Sequence, residues 1–448
     1  RPLGMYHVYT SVWFSAIYLL LFISLIGCIV PRIVSHAKAL RRQPPRVPAR
    51  LDRLAAHASM TTSASAAEVS QRAQQWLTSH RYRFVVDDDG SLRAEAGRHR
   101  ETGNLVFHIF LVFVLVGVGW NTLWGFKGTS VVVEGQGFSN SITQYDEFKA
   151  GAMVDTDNLT PFSMKLRKFV VSFETGTVQR GAARSFDATV DLTMGGKTQT
   201  RDLQVNHPLR IGSTKVHLLG HGYAADVVVR DGDGKVAYSG PVVFLPQDAN
   251  FKSVGVIKVP DARPDRLAFQ GFFLPTGAIT AGGPTSLFPD ALNPQLYLTA
   301  WYGKPTVETG VPSNIYTLDT TGLTQVTNGK DKARFVLSPG QRYKLPDGKG
   351  SIQFNGWQRW AKIQVSQNPG LPLTFLSVVL SVAGLCVSLF SRSRRVWVRT
   401  IPGDDGLRVE IGGLDRSDSR SGAVDDVNSL LAALHGDSMS GDVGEEHS

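Results

Sequence analysis

The chain is 448 residues long, carries a formal net charge of +9 and is 42% apolar by residue. That length exceeds one compact domain, so two or more structural units are expected. Its two cysteines, Cys28 and Cys386, both fall inside apolar runs, which excludes a disulfide framework, a CxxC redox pair and the CxxCH of a c-type cytochrome.

Residues 12–30 contain no charged side chain, and the same is true of residues 105–126 and 371–390. A helix rising ~1.5 Å per residue needs about 20 such residues to span the ~30 Å hydrocarbon core of a bilayer. Three transmembrane helices are therefore predicted in this chain. Seven basic residues follow the first run (Arg32, Lys38, Arg41, Arg42, Arg46, Arg50 and Arg53), and Arg392, Arg394, Arg395 and Arg399 follow the third. Juxtamembrane arginine and lysine mark cytoplasmic segments. The predicted order is then a helix over residues 1–31 running from outside to inside, a cytoplasmic loop over 32–103 and a returning helix over 104–126. An extracytoplasmic domain over 127–369, a helix over 370–391 running inward and a cytoplasmic tail over 392–448 complete it. The positive charge is thereby assigned to topology. No stretch interleaves basic and aromatic residues as a nucleic-acid surface requires, so nucleic acid is not an expected partner.

The first helix enters from outside although the chain starts at Arg1 rather than Met, so a fourth helix is expected upstream. Leu25-Ile26-Gly27-Cys28 resembles a lipoprotein cleavage box. It lacks a preceding basic region, and lipidation at Cys28 would put seven basic residues outside, so a membrane span is the preferred reading.

Within 32–103, Pro44, Pro45 and Pro48 prevent a long helix, residues 66–77 have helical composition, and residues 82–86 read as a strand before the turn at residues 87–90. A small helix–hairpin subdomain is expected. From 127 to 369 short β-branched and aromatic runs alternate with Gly, Pro, Asn and Asp, and residues 231–234 and 347–348 fall where hairpin turns are wanted. The fold class is thus a membrane protein with three helices and a large all-β extracytoplasmic domain of sandwich or meander type. The tail is Gly-, Ser- and Asp-rich and expected to be mostly disordered, with one short amphipathic helix over 426–434.

Enzyme motifs are absent. Residues 195–198, Gly-Gly-Lys-Thr, lack the first glycine of a phosphate loop and read as a hairpin turn, and neither Gly-x-Ser-x-Gly nor HExxH occurs. His217 and His221 share a strand, but on a straight strand they stand ~13 Å apart, and an exposed strand end is the simpler expectation. His108 is the one histidine inside an apolar run. Counted from the start of its helix it lies roughly 6 Å below the inner surface. An imidazole at that depth is costly unless it meets a partner; it can ligate haem iron, or it can make a helix-packing hydrogen bond or snorkel to the interface. His7 stands at the opposite mouth of the membrane and cannot share an iron with His108, so a second axial ligand would come from another chain, or no bis-histidine site exists. Trp120 and Trp124 read as an interfacial belt.

The residues at which the chain resembles a known family run in order along it: Val8-Tyr9 with Ser11, Trp13 and Phe14; Ser24-Leu25, Cys28 and Pro31-Arg32; Gly103-Asn104-Leu105 with Phe107-His108. Next come Phe126-Lys127-Gly128-Thr129, Val132-Val133-Glu134-Gly135 and Val205-Asn206-His207-Pro208-Leu209. Asn368-Pro369-Gly370, Pro372-Leu373 and Arg394-Arg395-Val396-Trp397-Val398-Arg399 close the series. In this order around three spans they resemble the ResB family, a membrane subunit of System II cytochrome c maturation. The resemblance implies a four-span protein of a bacterial plasma membrane, working with a ResC-type subunit that brings a tryptophan-rich segment. It implies that the pair carries haem b outward, keeps its iron reduced and attaches it to CxxCH of apocytochrome c, with His108 at the position of the family's intramembrane ligand. Such a subunit is no enzyme alone but part of a haem-ligating complex. A Pro-His pair often seen before the final basic run is Arg392-Ser393 here, so a role for that histidine does not carry over. The rival reading is a membrane-anchored β-sandwich recognition or scaffold module without cofactor.

Overall fold

The structure is a computed structural model describing residues 11–305, 316–403, 406–415 and 421–435. The chain divides into two compact units, Arg1–Gly119 with Gly370–Ser448, and Trp120–Pro369.

The first unit contains helices α1 (Val12–Arg41), α2 (Ala66–Ser79), α3 (His99–Trp124, whose last turns belong to the second unit), α4 (Leu371–Phe390) and α5 (Ser421–His435). Among the described residues three helices, α1, α3 and α4, are long and apolar enough to cross a membrane. Two of them overrun the expected spans. α1 continues through Arg32 to Arg41, where Lys38 and Arg41 face the negative end of its dipole, and α3 begins at His99. Charged turns thus extend the helices beyond their apolar segments.

Small residues bring α3 and α4 together. α4 buries Ser377, Ser381 and Gly384 while exposing Leu371, Phe375, Leu389 and Phe390. A Cβ on Gly103 would lie 2.6 Å from the Gly384 carbonyl oxygen and the Ser388 amide nitrogen, so the backbones meet where no side chain fits. The Ser381 hydroxyl donates to the Phe107 carbonyl at 3.3 Å. α1 joins through Tyr18, whose hydroxyl donates to the Leu115 carbonyl, and through His36 Nε2 and Thr102 Oγ1, 3.0 Å apart.

The rest of this unit is a five-stranded antiparallel sheet in the order Ala56–Thr62, Gly406–Asp415, Arg394–Gly403, Leu92–Ala96, Arg83–Val86. α2 and α5 cover it, burying Val69, Ala73, Trp76 and Leu77 with Val396, Val398, Val409, Ile411, Val427 and Leu430. Ser65 and Glu68 form a reciprocal capping box at the start of α2. The expectation of a mostly disordered tail is corrected here: its hairpin supplies two inner strands of the sheet, and its helix spans 421–435. The basic residues flank a buried stretch: Val396, Trp397 and Val398 are all buried, between the half-buried Arg394, Arg395 and Arg399. Arg394 Nη1 reaches both carboxylate oxygens of Asp426 at 2.9 and 2.8 Å, and Tyr82 donates to Asp426 Oδ2 at 2.6 Å. Inter-strand bonds cannot form across a bilayer, so residues 56–96 and 394–415 lie on one side of any membrane that the helices cross.

The second unit is strand-rich. Its largest sheet centres on two 17-residue strands, Thr214–Arg230 and Ser351–Gln367, paired antiparallel along their length. Val236–Pro246, Ser253–Val259, Arg266–Leu274 and Gln295–Gly303 extend it on one side, and Phe126–Val133 and Glu147–Ala150 on the other. A second sheet orders Gly137–Ser139, Ser163–Phe173, Ala183–Met194 and Lys197–Gln204. The expected turn at Gly195-Gly196 joins its last two strands, both glycines taking positive φ. Two cores result. One gathers Val227, Phe244, Phe269, Phe273 and Phe354, and the other gathers Phe138, Leu166, Phe169, Val190 and Ile363.

Candidate functional site

His108 stands half-buried on α3, nine residues after His99 opens the helix and 16 before Trp124 ends it. Its Nδ1 lies 2.7 Å from the Asn104 carbonyl oxygen, one turn back. A carbonyl only accepts, so Nδ1 carries a proton, and in the neutral form of the ring Nε2 is the nitrogen left with a lone pair. Phe107 meets the imidazole edge-on, with centroids 4.9 Å apart, and its own carbonyl accepts from Ser381 of α4. The ring is thus set by its own helix and by the α3–α4 contact. Arg100, Asn104 and His108 recur every four residues on one helical face. A cavity of about 500 Å³ lined by Arg100, Glu101, Asn104 and Ser388 opens beside the residue that fixes the tautomer.

The other candidates are not brought to His108. His7 lies outside the described residues. His217 and His221 belong to the middle of the Thr214–Arg230 strand, not to an exposed end. A bulge between Leu218 and Gly220 inserts one residue, so His217 pairs with Gln364 and His221 with Ala361. Alternation along Ser351–Gln367 then puts the two imidazoles on opposite faces, which corrects the strand-end expectation and rules out a shared ion. Among the described residues no group of three or more His, Cys, Asp and Glu is placed to hold a metal.

Sequence reasoning missed what surrounds His221. Its ring stacks on Phe251 at 4.6 Å and is flanked by Phe169, Phe173 and Phe186. Phe251 takes φ +58, held by Asp248 Oδ1 accepting from the amides of Asn250 and Lys252. Burial pushes the His221 pKa down to about 4, and the Arg359 guanidinium adds to the fall. Arg359, 6% exposed, pairs with Asp290 at 2.7 Å and lies 5.0 Å over the Tyr223 ring. Aromatic residues spread over three strands and a loop carried no local signal of this convergence.

A family model described as the ResB-like family matches residues 1–424. The cytochrome c biogenesis protein CcsB of Synechococcus sp. strain JA-3-3Ab is 24% identical over 401 residues, which cover 88% of this chain and 71% of that protein. A protein of the same name from Microcystis aeruginosa is 21% identical over 414 residues, covering 92% of this chain and 77% of that protein. A third, from Picosynechococcus sp., is 28% identical over 211 residues, 46% of this chain and 42% of that protein.

Proposed function

The chain belongs to the ResB-like family, and from that premise we propose that it serves cytochrome c maturation, helping to pass haem b across a bacterial plasma membrane and present it to CxxCH of an apocytochrome c. The observation that carries this reading is the Asn104–His108 bond. It leaves Nε2 with the lone pair an iron ligand needs, on a span otherwise free of ionisable side chains until its opening turns. The residues present therefore fit the group. Haem, when bound, supplies the vinyl carbons to which the client cysteines become joined. This chain's residues would orient and shield it: His108 would hold the iron through Nε2, the Asn104 carbonyl would keep the proton on Nδ1, and the apolar flanks of α3 would exclude water. The partner that would share the group is, in this reading, a ResC-type membrane subunit.

The sheet that joins residues 56–96 to 394–415 keeps both arginine-rich segments on one side, and juxtamembrane arginine supports reading that side as cytoplasmic, with residues 127–369 as the segment offered to apocytochrome c. Purification of the chain with its membrane partner, followed by absorbance and a pyridine haemochrome assay, tests the assignment. A Soret band that falls severalfold in His108→Ala, with unchanged protein yield, is expected. An identical spectrum would remove His108 from haem binding and favour a cofactor-free recognition module built on the β domain.

A further inference from the structure

The α1, α3 and α4 ends frame a cavity of about 480 Å³ whose charged lining comes from three separate segments: His36 and Arg42, then Arg98 and Arg100, then Arg395. Glu95 and Glu101 also line it. Both carboxylates are engaged, Glu95 with Arg98 at 3.3 Å and Glu101 with Arg32 at 3.7 Å. Arg98 also donates to the Ala39 carbonyl at 2.9 Å. Arg42 and Arg100, by contrast, direct no guanidinium nitrogen to a hydrogen bond or ion pair among the described residues. The wall is braced by the His36–Thr102 contact at 3.0 Å, and the first turn of α3 adds the positive end of its dipole.

Topology requires only that arginines lie on one side; it does not require them to converge on one concave surface. The convergence selects an oxyanion that two planar guanidinium forks can hold. Position selects its source. The lining starts one turn inside the end of α1, takes in the opening turn of α3 and resumes three residues beyond α4, at the level where apolar helix surface gives way to charge. The same helix ends expose Val34, Leu40, Leu389 and Phe390, which suit acyl chains and not a soluble metabolite. We propose that this cavity binds the phosphate of an anionic phospholipid, clamping the three helix ends together. The site shares Arg100 and Glu101 with the cavity beside Asn104 but takes in neither Asn104 nor His108.

The test uses the full chain, delipidated in mild detergent and followed by native mass spectrometry during titration with phosphatidylglycerol, phosphatidylcholine or inorganic phosphate. Phosphatidylglycerol should bind in preference to phosphatidylcholine, and Arg42→Gln with Arg100→Gln should weaken it by about tenfold. Arg50→Gln with Arg53→Gln removes the same charge outside the cavity lining and should leave binding intact. If the glutamine pair fails to fold, Arg42→Lys with Arg100→Lys keeps the charge but loses the fork, and a severalfold loss is expected. Equal binding by the cavity variant, equal loss in the control pair, or equal affinity for phosphatidylcholine would overturn the proposal. Displacement of phosphatidylglycerol by millimolar inorganic phosphate would overturn the lipid assignment.

Discussion

Acid should weaken the β-rich unit through His221. The side chain is 9% exposed, ringed by phenylalanines and close to Arg359, and its pKa is pushed down to about 4 from an ordinary 6.5. The folded unit therefore keeps the ring neutral while the unfolded chain takes up a proton, and stability contributed by the neutral ring is fully present above 6.5. It is lost as pH falls from 6.5 toward 4. A full shift of this size corresponds to about 3 kcal/mol, and between about pH 7 and about pH 4.5 the loss is roughly 2 kcal/mol. For a unit of this size each kcal/mol moves Tm by about 2–4 °C, so an excess fall of roughly 5–8 °C is expected. Thermal melting followed by tryptophan fluorescence reports on it, since Trp357 packs 5.3 Å from Tyr223 beside the same cluster. His221→Gln cannot titrate, and its Tm should fall less by that amount over the same interval. Carboxylates and the other histidines contribute equally to both proteins. Parallel curves for wild type and His221→Gln would refute the assignment of the acid sensitivity to this ring.

Gly384→Val should disrupt the α3–α4 contact, because its first added carbon would lie 2.8 Å from the Phe107 amide nitrogen and from Val106 Cγ1. Overpacking of this kind costs about 1–3 kcal/mol, read as a lower midpoint in detergent unfolding, and Gly384→Ala should cost less. Asp426→Ala should loosen the tail, since it strips Arg394 of both carboxylate contacts and Tyr82 of its acceptor. The pair is partly buried, so about 2 kcal/mol is expected, and tryptic cleavage within residues 394–399 should accelerate by roughly 30-fold. An unchanged cleavage rate would show that the hairpin is held without α5.

The three long apolar helices were legible because an uninterrupted apolar run of that length has few other uses, and His108 stood out as a candidate because an imidazole within one is costly. Strand-forming character over residues 127–369 was equally plain in its alternation and turn residues. Pairing was not. The tail's hairpin is stabilised by Ala56–Thr62 and Leu92–Ala96, some 300 residues away in sequence, and its arginines read as a topological signal first. The single inserted residue at Leu219 has no composition signature, yet it decides which face His221 occupies. The cavity at the helix ends depends on the same long-range assembly, since no window of sequence contains Arg42, Arg100 and Arg395 together.

Because Arg394–Gly403 and Gly406–Asp415 sit between the outer strands of their sheet, that domain cannot close until the last membrane helix has left the ribosome. During synthesis, Ala56–Thr62 and Leu92–Ala96 wait with open edges while roughly 300 residues are made. A chain that stalled before α4, or inserted it backwards, would leave those edges bare to proteases. The sheet therefore acts as a receipt for a finished chain, issued only when the last hairpin has met strands made long before it.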